Sequence, residues 1–572
     1  MKRIHWLLLL VLMGAVACET LGQVVPPDTG KLSWSLFQTV ESGQRKRATD
    51  EEVPRIEALL TTRIPVSEGD LATLESLGYS IHGAFGRLVG VEAPADLYAD
   101  PEKGLGTLEF VLSADFPPTA LPNQDPDALE SLPVIHAEQA WILGYKGQGT
   151  KIAVIEWGYV SDYPDLAALN PSFYVATPAG GVGTYEFEEG ILETSLDGGM
   201  HGTSCALIAA RVAPEAELNL LSFPSGEDTQ RDLMGWLAAL SCAVKELEVD
   251  VVTTQIWFDY PTCHADGTGV LHEAVDEILS GTDTVLVVAA GNWADGSGGG
   301  RAFHADTFTD SDGEERHDFS PSAADTWDQN NLRFSGQEGD QVLIMLEWDE
   351  WASELKAMDL DLLLYDAEFS QVPLSVARTR QYERTTPPYE KMTVTLPYSG
   401  EFALVIEDRA SKWYEQSSTG VHFNLYVHSY RYGFSYVEHH SVDGSTRELA
   451  TSRDERVISV GAVSVTATGS VRPYSSRGPT WDGRCKPELY APDGVSGTMY
   501  DEQGRLFTGT SASAPHVAGA VAVLRSVDPD LLPADIVSAL KESSGCSASG
   551  GCACPTNTPI DLALAVQRVL AR

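Results

Sequence analysis

Five apolar runs punctuate the chain from Lys151 onward: KIAVIEW, AELNLLSF, VDVVTTQI, DTVLVVAA and RVISVGAV. Runs of this kind are read as strands buried on both faces, the environment of a parallel sheet, and helical stretches such as LMGWLAALSCAVKEL between them supply the crossovers. The fold class expected is α/β, a parallel sheet flanked by helices. The series is interrupted once. In VLIMLEW, DLDLLLY, MTVTL, FALVI and VHFNLYV the pattern changes to alternation, which reads as antiparallel strands with one buried face. An antiparallel β-sandwich is therefore expected as an insertion at residues 302–447, splitting the α/β domain into 135–301 and 448–572. Its two ends should lie close together. A short Gly/Ser linker in place of residues 305–445 is expected to leave a folded α/β core.

Upstream, residues 51–115 read as a small α+β module. RIEALLTTRI is a strand, SEGDLATLESLG an amphipathic turn sequence with a Ser cap and a terminal Gly, and YSIHGAF and LVGVEAP are two more strands. PADLYADPEKG and LGTLEFVL complete a β-α-β-β-α-β order. A Pro-rich linker, residues 116–134, joins this module to the α/β domain.

The first residues carry a different signal. Lys2 and Arg3 precede an apolar run from Trp6 to Val16, shorter than the roughly 20 residues of a membrane span, so residues 1–18 read as a signal peptide and 19–50 as a linker. Ala15, Val16 and Ala17 suit cleavage. Cys18 also resembles the acylated Cys of a bacterial lipobox, with Ala15 where Leu is usual. An exported protein is expected, with free secretion and a lipid anchor at Cys18 as equal alternatives.

At 572 residues the chain exceeds what one core can organise. With 82 acidic against 38 basic residues its formal charge is -44, which repels nucleic acid and excludes it as a partner. Seven of the eight Cys follow the signal segment, an odd number that leaves a thiol unpaired if the rest pair. One short disulfide is expected among Cys546, Cys552 and Cys554, since no His lies near to make them a zinc site. Asp310, Asp312 and Glu314 beside Gly313 form a fragment of a calcium loop, but the rest of that motif is missing. A polar turn is expected there, and no metal or cofactor is assigned.

The chemistry concentrates in three segments. GTSASAPHVAGAVAVL places Ser511 on a turn opening directly into an apolar helix, where unpaired N–H groups and the helix dipole favour an oxyanion. MHGTSCALIAA offers His201 as the base that a serine hydroxyl needs. VVAAGNW sets Gly291 and Asn292 at the end of a buried strand, with an amide able to donate to developing negative charge. Together these segments resemble the nucleophile, histidine and oxyanion-hole motifs of the subtilase family. SSRGPT at Ser475 and GRCKPELYAPDG at Gly483 add to the likeness, which covers about Leu132 to Asn292 and Arg456 to Leu524.

The resemblance implies a serine endopeptidase that cuts protein or peptide substrates through an acyl-enzyme on Ser511. It also implies that residues 51–115 are a propeptide acting as an intramolecular inhibitor, and the sandwich resembles the jelly-roll accessory domains of secreted bacterial peptidases. Two departures stand out. KIAVIEWGYVSDYPDL has Glu156 where the family has Asp, with Asp162 and Asp165 further on in a surface loop. VVTTQIWF has Gln255, Ile256, Trp257 and Phe258 where the substrate-pairing strand usually ends in Ser, Leu and two Gly, so Trp257 or Phe258 should narrow or fill the adjacent pocket, and the resemblance implies Gln255, Ile256, Trp257 and Gly291 as substrate-binding residues. Glu156 invites comparison with sedolisins, but His201 and Asn292 argue against them. Two rival readings remain: a pseudopeptidase that binds peptides or envelope proteins without cutting, and a carrier whose sandwich is the binding module.

Overall fold

The computed structural model describes most of residues 55–115, the short segment 120–122 and, with internal gaps, residues 131–545 and 557–572. The expected signal segment, Cys18, most of PADLYADPEKG and the Cys546, Cys552 and Cys554 group lie outside the described residues.

The N-terminal module contains β1 (Arg55–Thr62), α1 (Glu68–Leu77), β2 (Ser80–Phe85), β3 (Leu88–Pro94) and β4 (Val111–Asp115), in one antiparallel sheet ordered β2-β3-β1-β4. Helix α1 starts and stops where its sequence dictates. Ser67 accepts from Asp70 N while Asp70 Oδ2 accepts from Ser67 N, and Gly78 closes the helix in the left-handed region. A three-residue strand follows, β5 (Ala120–Pro122).

The α/β domain begins with α2 (Ala137–Ile142), β6 (Lys151–Glu156), α3 (Pro164–Ala168), β7 (Ser172–Pro178), β8 (Tyr185–Glu189) and α4 (Leu196–Val212). It continues through β9 (Glu217–Ser222), α5 (Gln230–Ser241), β10 (Val251–Thr254), β11 (Ile256–Phe258), α6 (Val270–Leu279) and β12 (Val285–Ala289). After the insertion the chain resumes with β21 (Val457–Ser464), β22 (Leu489–Asp493), α7 (Thr510–Val527), α8 (Pro533–Ser543) and α9 (Leu562–Leu570). Eight of these strands form one sheet, ordered β22-β21-β12-β10-β6-β9-β7-β8, with every pair parallel except β7 with β8.

The continuous apolar runs are explained by this layering. Along β6, Ile152 and Val154 enter the core shared with α4, α7 and α9, while Ala153 and Ile155 enter the one shared with α5 and α6. Helix α7 is buried on all sides from Thr510 to Arg525 and therefore reads as apolar around its whole circumference. A Cβ on Gly519 would sit 2.5 Å from Val212 Cβ, so the absence of a side chain there lets α7 lie directly against α4.

The insertion comprises β13 (Arg301–Thr307), β14 (Leu332–Gly336), β15 (Gln341–Trp348), β16 (Leu360–Asp366), β17 (Ser375–Ala377), β18 (Tyr389–Thr395), β19 (Gly400–Asp408) and β20 (His422–Ser429). They make two four-stranded antiparallel sheets, β13-β20-β15-β18 and β14-β19-β16-β17. Arg301 pairs with His428, so entry and exit lie side by side. One expectation needs correction, because the first sheet has two buried faces rather than one. On β15, Val342, Ile344, Leu346 and Trp348 fill the sandwich core, while Leu343 and Met345 join Trp257 and Trp293 of the α/β domain, with Phe303, Tyr389 and Tyr426. The sandwich is thus packed onto the α/β domain through a shared aromatic core, which removes the basis for expecting a separable insertion.

Candidate active site

Glu156, His201, Asn292 and Ser511 come from four separate elements that converge at the C-terminal edge of the parallel sheet, where open α/β sheets place their sites. Glu156 is the last residue of β6, His201 lies in the first turns of α4, Asn292 follows β12 and Ser511 opens α7. All four are buried.

Glu156 Oε2 lies 3.0 Å from His201 Nδ1. That contact fixes Nδ1 as the protonated nitrogen and leaves Nε2 as the acceptor, and Nε2 has no hydrogen-bond partner. The loop after Glu156 is tied to α4 by Val160 N, which donates to Thr203 Oγ1 at 3.0 Å. Tyr159 OH donates to Val154 O at 2.7 Å. Phe507 meets the His201 ring edge-on at 5.3 Å between centroids, which brings the residues leading into α7 against the imidazole. Asp162 is exposed, and Asp165 pairs with Arg211 at 3.1 Å. His201 Nδ1 is already engaged by Glu156; Asp162 lies in the loop after β6, whereas Asp165, expected in that loop, stands in the first turn of α3.

Asn292 is oriented from α7, the helix that Ser511 opens. Its Oδ1 accepts from Thr510 N and from Thr510 Oγ1, both at 3.0 Å, and Gly291 N donates to Thr510 Oγ1 at 3.2 Å. A backbone N–H can only donate, so the amide oxygen must face Thr510. Asn292 Nδ2 is left buried and unpaired beside the turn that carries Ser511. The SSRGPT segment secures this turn from behind: Ser476 N donates to Gly291 O at 2.9 Å and Ser476 Oγ accepts from Trp293 N at 3.1 Å.

Sequence reading missed two further contributors. Cys205, one turn beyond His201, lies 3.7 Å from Ser511 O and so bridges α4 and α7. Burial first, and Glu156 second, push its thiol well above the ordinary range, so it stays protonated and is no rival nucleophile. Asp493, at the end of β22, accepts from Gly509 N at 3.2 Å and also bonds Tyr474 OH. Only the APDG segment signalled it. Burial raises the Asp493 carboxyl to about 6, against the opposing pull of Arg472 and of its hydrogen bonds. A carboxyl raised in the folded state binds its proton there more tightly than in the unfolded chain, so its contribution to stability falls as pH rises from about 4 to about 6. Relative to Asp493→Asn, the native chain is expected to lose on the order of 3 kcal/mol of unfolding free energy between pH 4 and pH 7. Parallel denaturant titrations check this, and equal pH slopes in the two proteins would refute it.

Gln255 is buried between β10 and β11, with Nε2 bonded to Thr253 Oγ1 at 2.6 Å. Ile256 packs against the α5–α6 core together with Phe258. Trp257 points the other way, edge-on to Trp293 at 5.1 Å and covered by Arg301 and Arg447. Trp257 and Phe258, expected to narrow or fill the adjacent space, are enclosed: successive side chains of β11 alternate between two buried cores. What β11 offers is its backbone edge, and β5 pairs with it antiparallel, Ala120 opposite Phe258, Leu121 opposite Trp257 and Pro122 opposite Ile256. Cys485 is disulfide-bonded, which its sequence context did not indicate.

Residues 437–559 match the model of the subtilase family. The chain is 41% identical over 87 residues to the subtilisin-like protease SBT5.5 of Arabidopsis thaliana, covering 12% of this chain and 11% of that protein. It is 29% identical over 178 residues to the major intracellular serine protease of Bacillus subtilis, covering 29% and 50% respectively. The chain thus spans half or less of the length of these curated relatives. The CspB protease of Clostridium perfringens shares the fold, with a TM-score of 0.53 and 17% identity over 77% of this chain and 99% of that one.

Proposed function

We propose, on the premise that this chain belongs to the subtilase family, that it is an exported serine endopeptidase acting through Ser511. The observation that carries the reading is the 3.0 Å contact between Glu156 and His201 Nδ1, which leaves Nε2 buried and free to take a proton. In this mechanism Ser511 Oγ attacks the substrate carbonyl as its proton passes to His201 Nε2. The imidazolium is stabilised by Glu156. Charge on the former carbonyl oxygen is met by Asn292 Nδ2 and by the N-terminus of α7. His201 returns the proton to the leaving amine, and water repeats the sequence on the acyl-enzyme.

The N-terminal module fits the role of an intramolecular inhibitor. Its sheet packs on α5 and α6, Arg87 forms a paired contact with Glu273 at 3.0 and 3.1 Å, and the downstream β5 occupies the edge of β11 that a substrate backbone would use. Lys2, Arg3 and the apolar run after them support export, with Cys18 as a lipid attachment point in one of the two alternatives.

A fluorophosphonate probe is expected to label Ser511 and no other serine, located by mass spectrometry. Protein with Ser511 intact is expected to show a new N-terminus between residues 112 and 132, whereas Ser511→Ala keeps residues 55–115 attached. Absence of labelling favours the peptide-binding pseudopeptidase, and identical N-termini in the two proteins would remove the inhibitor role.

A further inference from the structure

We infer that Gln255 sets the cleavage preference: its side-chain oxygen accepts a hydrogen bond from a carboxamide, Asn or Gln, on the substrate residue whose carbonyl Ser511 attacks. The inference rests on the peptidase reading and adds to it the class of side chain that the site takes.

Gln255 stands in the row of strand ends that carries the candidate catalytic groups. On β10, Thr254 lies between Ile155 of β6 and Val288 of β12, so the next residue is level with Glu156 on one side and with Ala289, shortly before Asn292, on the other. Its direction follows from the alternation along the strand. Val251 enters the core shared with α4 and α7, Val252 enters the one shared with α5 and α6, and Thr254 Oγ1 accepts from Trp236 Nε1 of α5 at 3.1 Å. Thr253 and Gln255 therefore face the α7 side, where Ser511 opens its helix. Gln255 Nε2 donates to Thr253 Oγ1 at 2.6 Å along that side.

The other end of this amide supplies the independent indication. Gln255 is covered as completely as Ser511 and His201, and its Oε1 has no hydrogen-bond partner among the described residues. A buried acceptor without a donor calls for an explanation. The unpaired atoms His201 Nε2 and Asn292 Nδ2 have a proton and an oxyanion to meet in the proposed mechanism, but that mechanism leaves Gln255 Oε1 unused.

The way β5 lies on β11 shows what can reach it. Ala120, Leu121 and Pro122 stand opposite Phe258, Trp257 and Ile256, so in a substrate laid the same way the next residue falls opposite Gln255, level with Glu156. Directly opposite residues of an antiparallel pair carry their side chains on one face, close enough to touch. Backbone N–H groups of such a strand are met by the carbonyls of its partner, so the donor left for Oε1 is a side chain. A neutral oxygen in a buried site does not offset the desolvation of an ammonium or guanidinium group, which favours the uncharged carboxamide. The residue after Pro122 in the sequence, Asn123, is itself a carboxamide and falls in the segment where self-cleavage is expected.

The test compares kcat/KM for the aminomethylcoumarin amides acetyl-Ala-Leu-Pro-X, with X as Asn, Gln, Leu, Asp or Lys, using the full chain and labelling the same preparation with a fluorophosphonate. Leu matches Asn in shape but cannot donate. The native chain is expected to favour Asn or Gln over Leu by about 10–100-fold, the scale of leaving a buried acceptor unpaired. Gln255→Leu should lose that preference, whereas Gln255→Glu keeps an acceptor and should retain it. The ratio within one preparation is independent of how much protein is folded or processed, so a structural loss alone does not move it. Leu turned over as well as Asn by the native chain overturns the inference whether or not the variants fold. So does a preference for Asp or Lys, or an undiminished ratio in Gln255→Leu. Labelling of Ser511 with a flat profile removes this inference alone, while absence of both labelling and turnover removes the peptidase reading and the inference with it.

Discussion

Replacing residues 305–445 by a short Gly/Ser linker is expected to give a molten chain that no longer reacts with a fluorophosphonate. The excision strips Met345, Tyr389 and Tyr426 from Trp257 and Trp293, which are 3% and 1% exposed in the intact protein. Losing the packing around a large buried aromatic costs about 3–5 kcal/mol, and two such losses rival the stability of a whole domain. The position of the damage matters as much. Trp293 adjoins Asn292, and Trp257 is the middle residue of β11. Arg447, whose guanidinium lies 4.6 Å from the centre of the Tyr426 ring, would lose that cover. It is the partner of Glu448 at 3.2 Å, and Glu448 in turn accepts from Phe258 N at 3.0 and 2.9 Å. The proposed oxyanion donor and the proposed substrate-pairing strand are therefore both held from the sandwich side. Tyr426→Ala in the intact chain is expected to keep the far-ultraviolet circular dichroism while lowering the labelling rate of Ser511. A native near-ultraviolet spectrum and an unchanged labelling rate in the excised chain would refute this account.

The periodicities carried the fold because they report burial, and burial is what a sheet with helices on both faces imposes. KIAVIEW and VDVVTTQI read as doubly buried strands for the same reason that Ile152 and Ala153 enter different cores. Alternation failed as a guide in VLIMLEW, where the unbroken apolar run from Val342 to Leu346 meant two cores rather than one. Nothing local distinguishes a strand facing solvent from one facing a second domain when Leu343 and Met345 are apolar in either case. Ser511, Asn292 and Glu156 stood out in the sequence because each sits at the junction of an apolar element and a turn, whereas His201, inside α4, stood out through the MHGTS segment. Asp493 and Ser476 were not, since their role is to hold a backbone turn from a distant part of the chain. Which core Trp257 enters was not legible, because its size says nothing of the direction of its side chain.

Glu156 is the residue whose replacement should separate an orienting carboxylate from a merely buried one. Glu156→Gln keeps the shape of the side chain and removes its charge, so the fold should persist while acylation of Ser511 falls by about 10⁴, the scale seen when a triad acid becomes an amide. The shorter Glu156→Asp tests the geometry. The backbone beneath the side chain cannot move closer to the imidazole, because Gly202 of α4 already lies against it: a Cβ there would come within 2.4 Å of Gly158 O and 2.9 Å of Glu156 Cβ. Tyr159 fastens the same loop to Val154 O. Shortening the side chain by one methylene should therefore stretch the 3.0 Å contact with His201 Nδ1 beyond hydrogen-bonding range. Acylation should drop in Glu156→Asp as well, even though it restores the residue usual in the family. The decrease should be smaller than for the amide, since the negative charge remains near the imidazolium. Single-turnover labelling of both variants, with folding checked by near-ultraviolet circular dichroism, gives the comparison. A rate in Glu156→Asp above that of the native chain would mean that the surrounding loops are not fitted to the longer acid, and unchanged rates in both variants would remove Glu156 from the catalytic machinery.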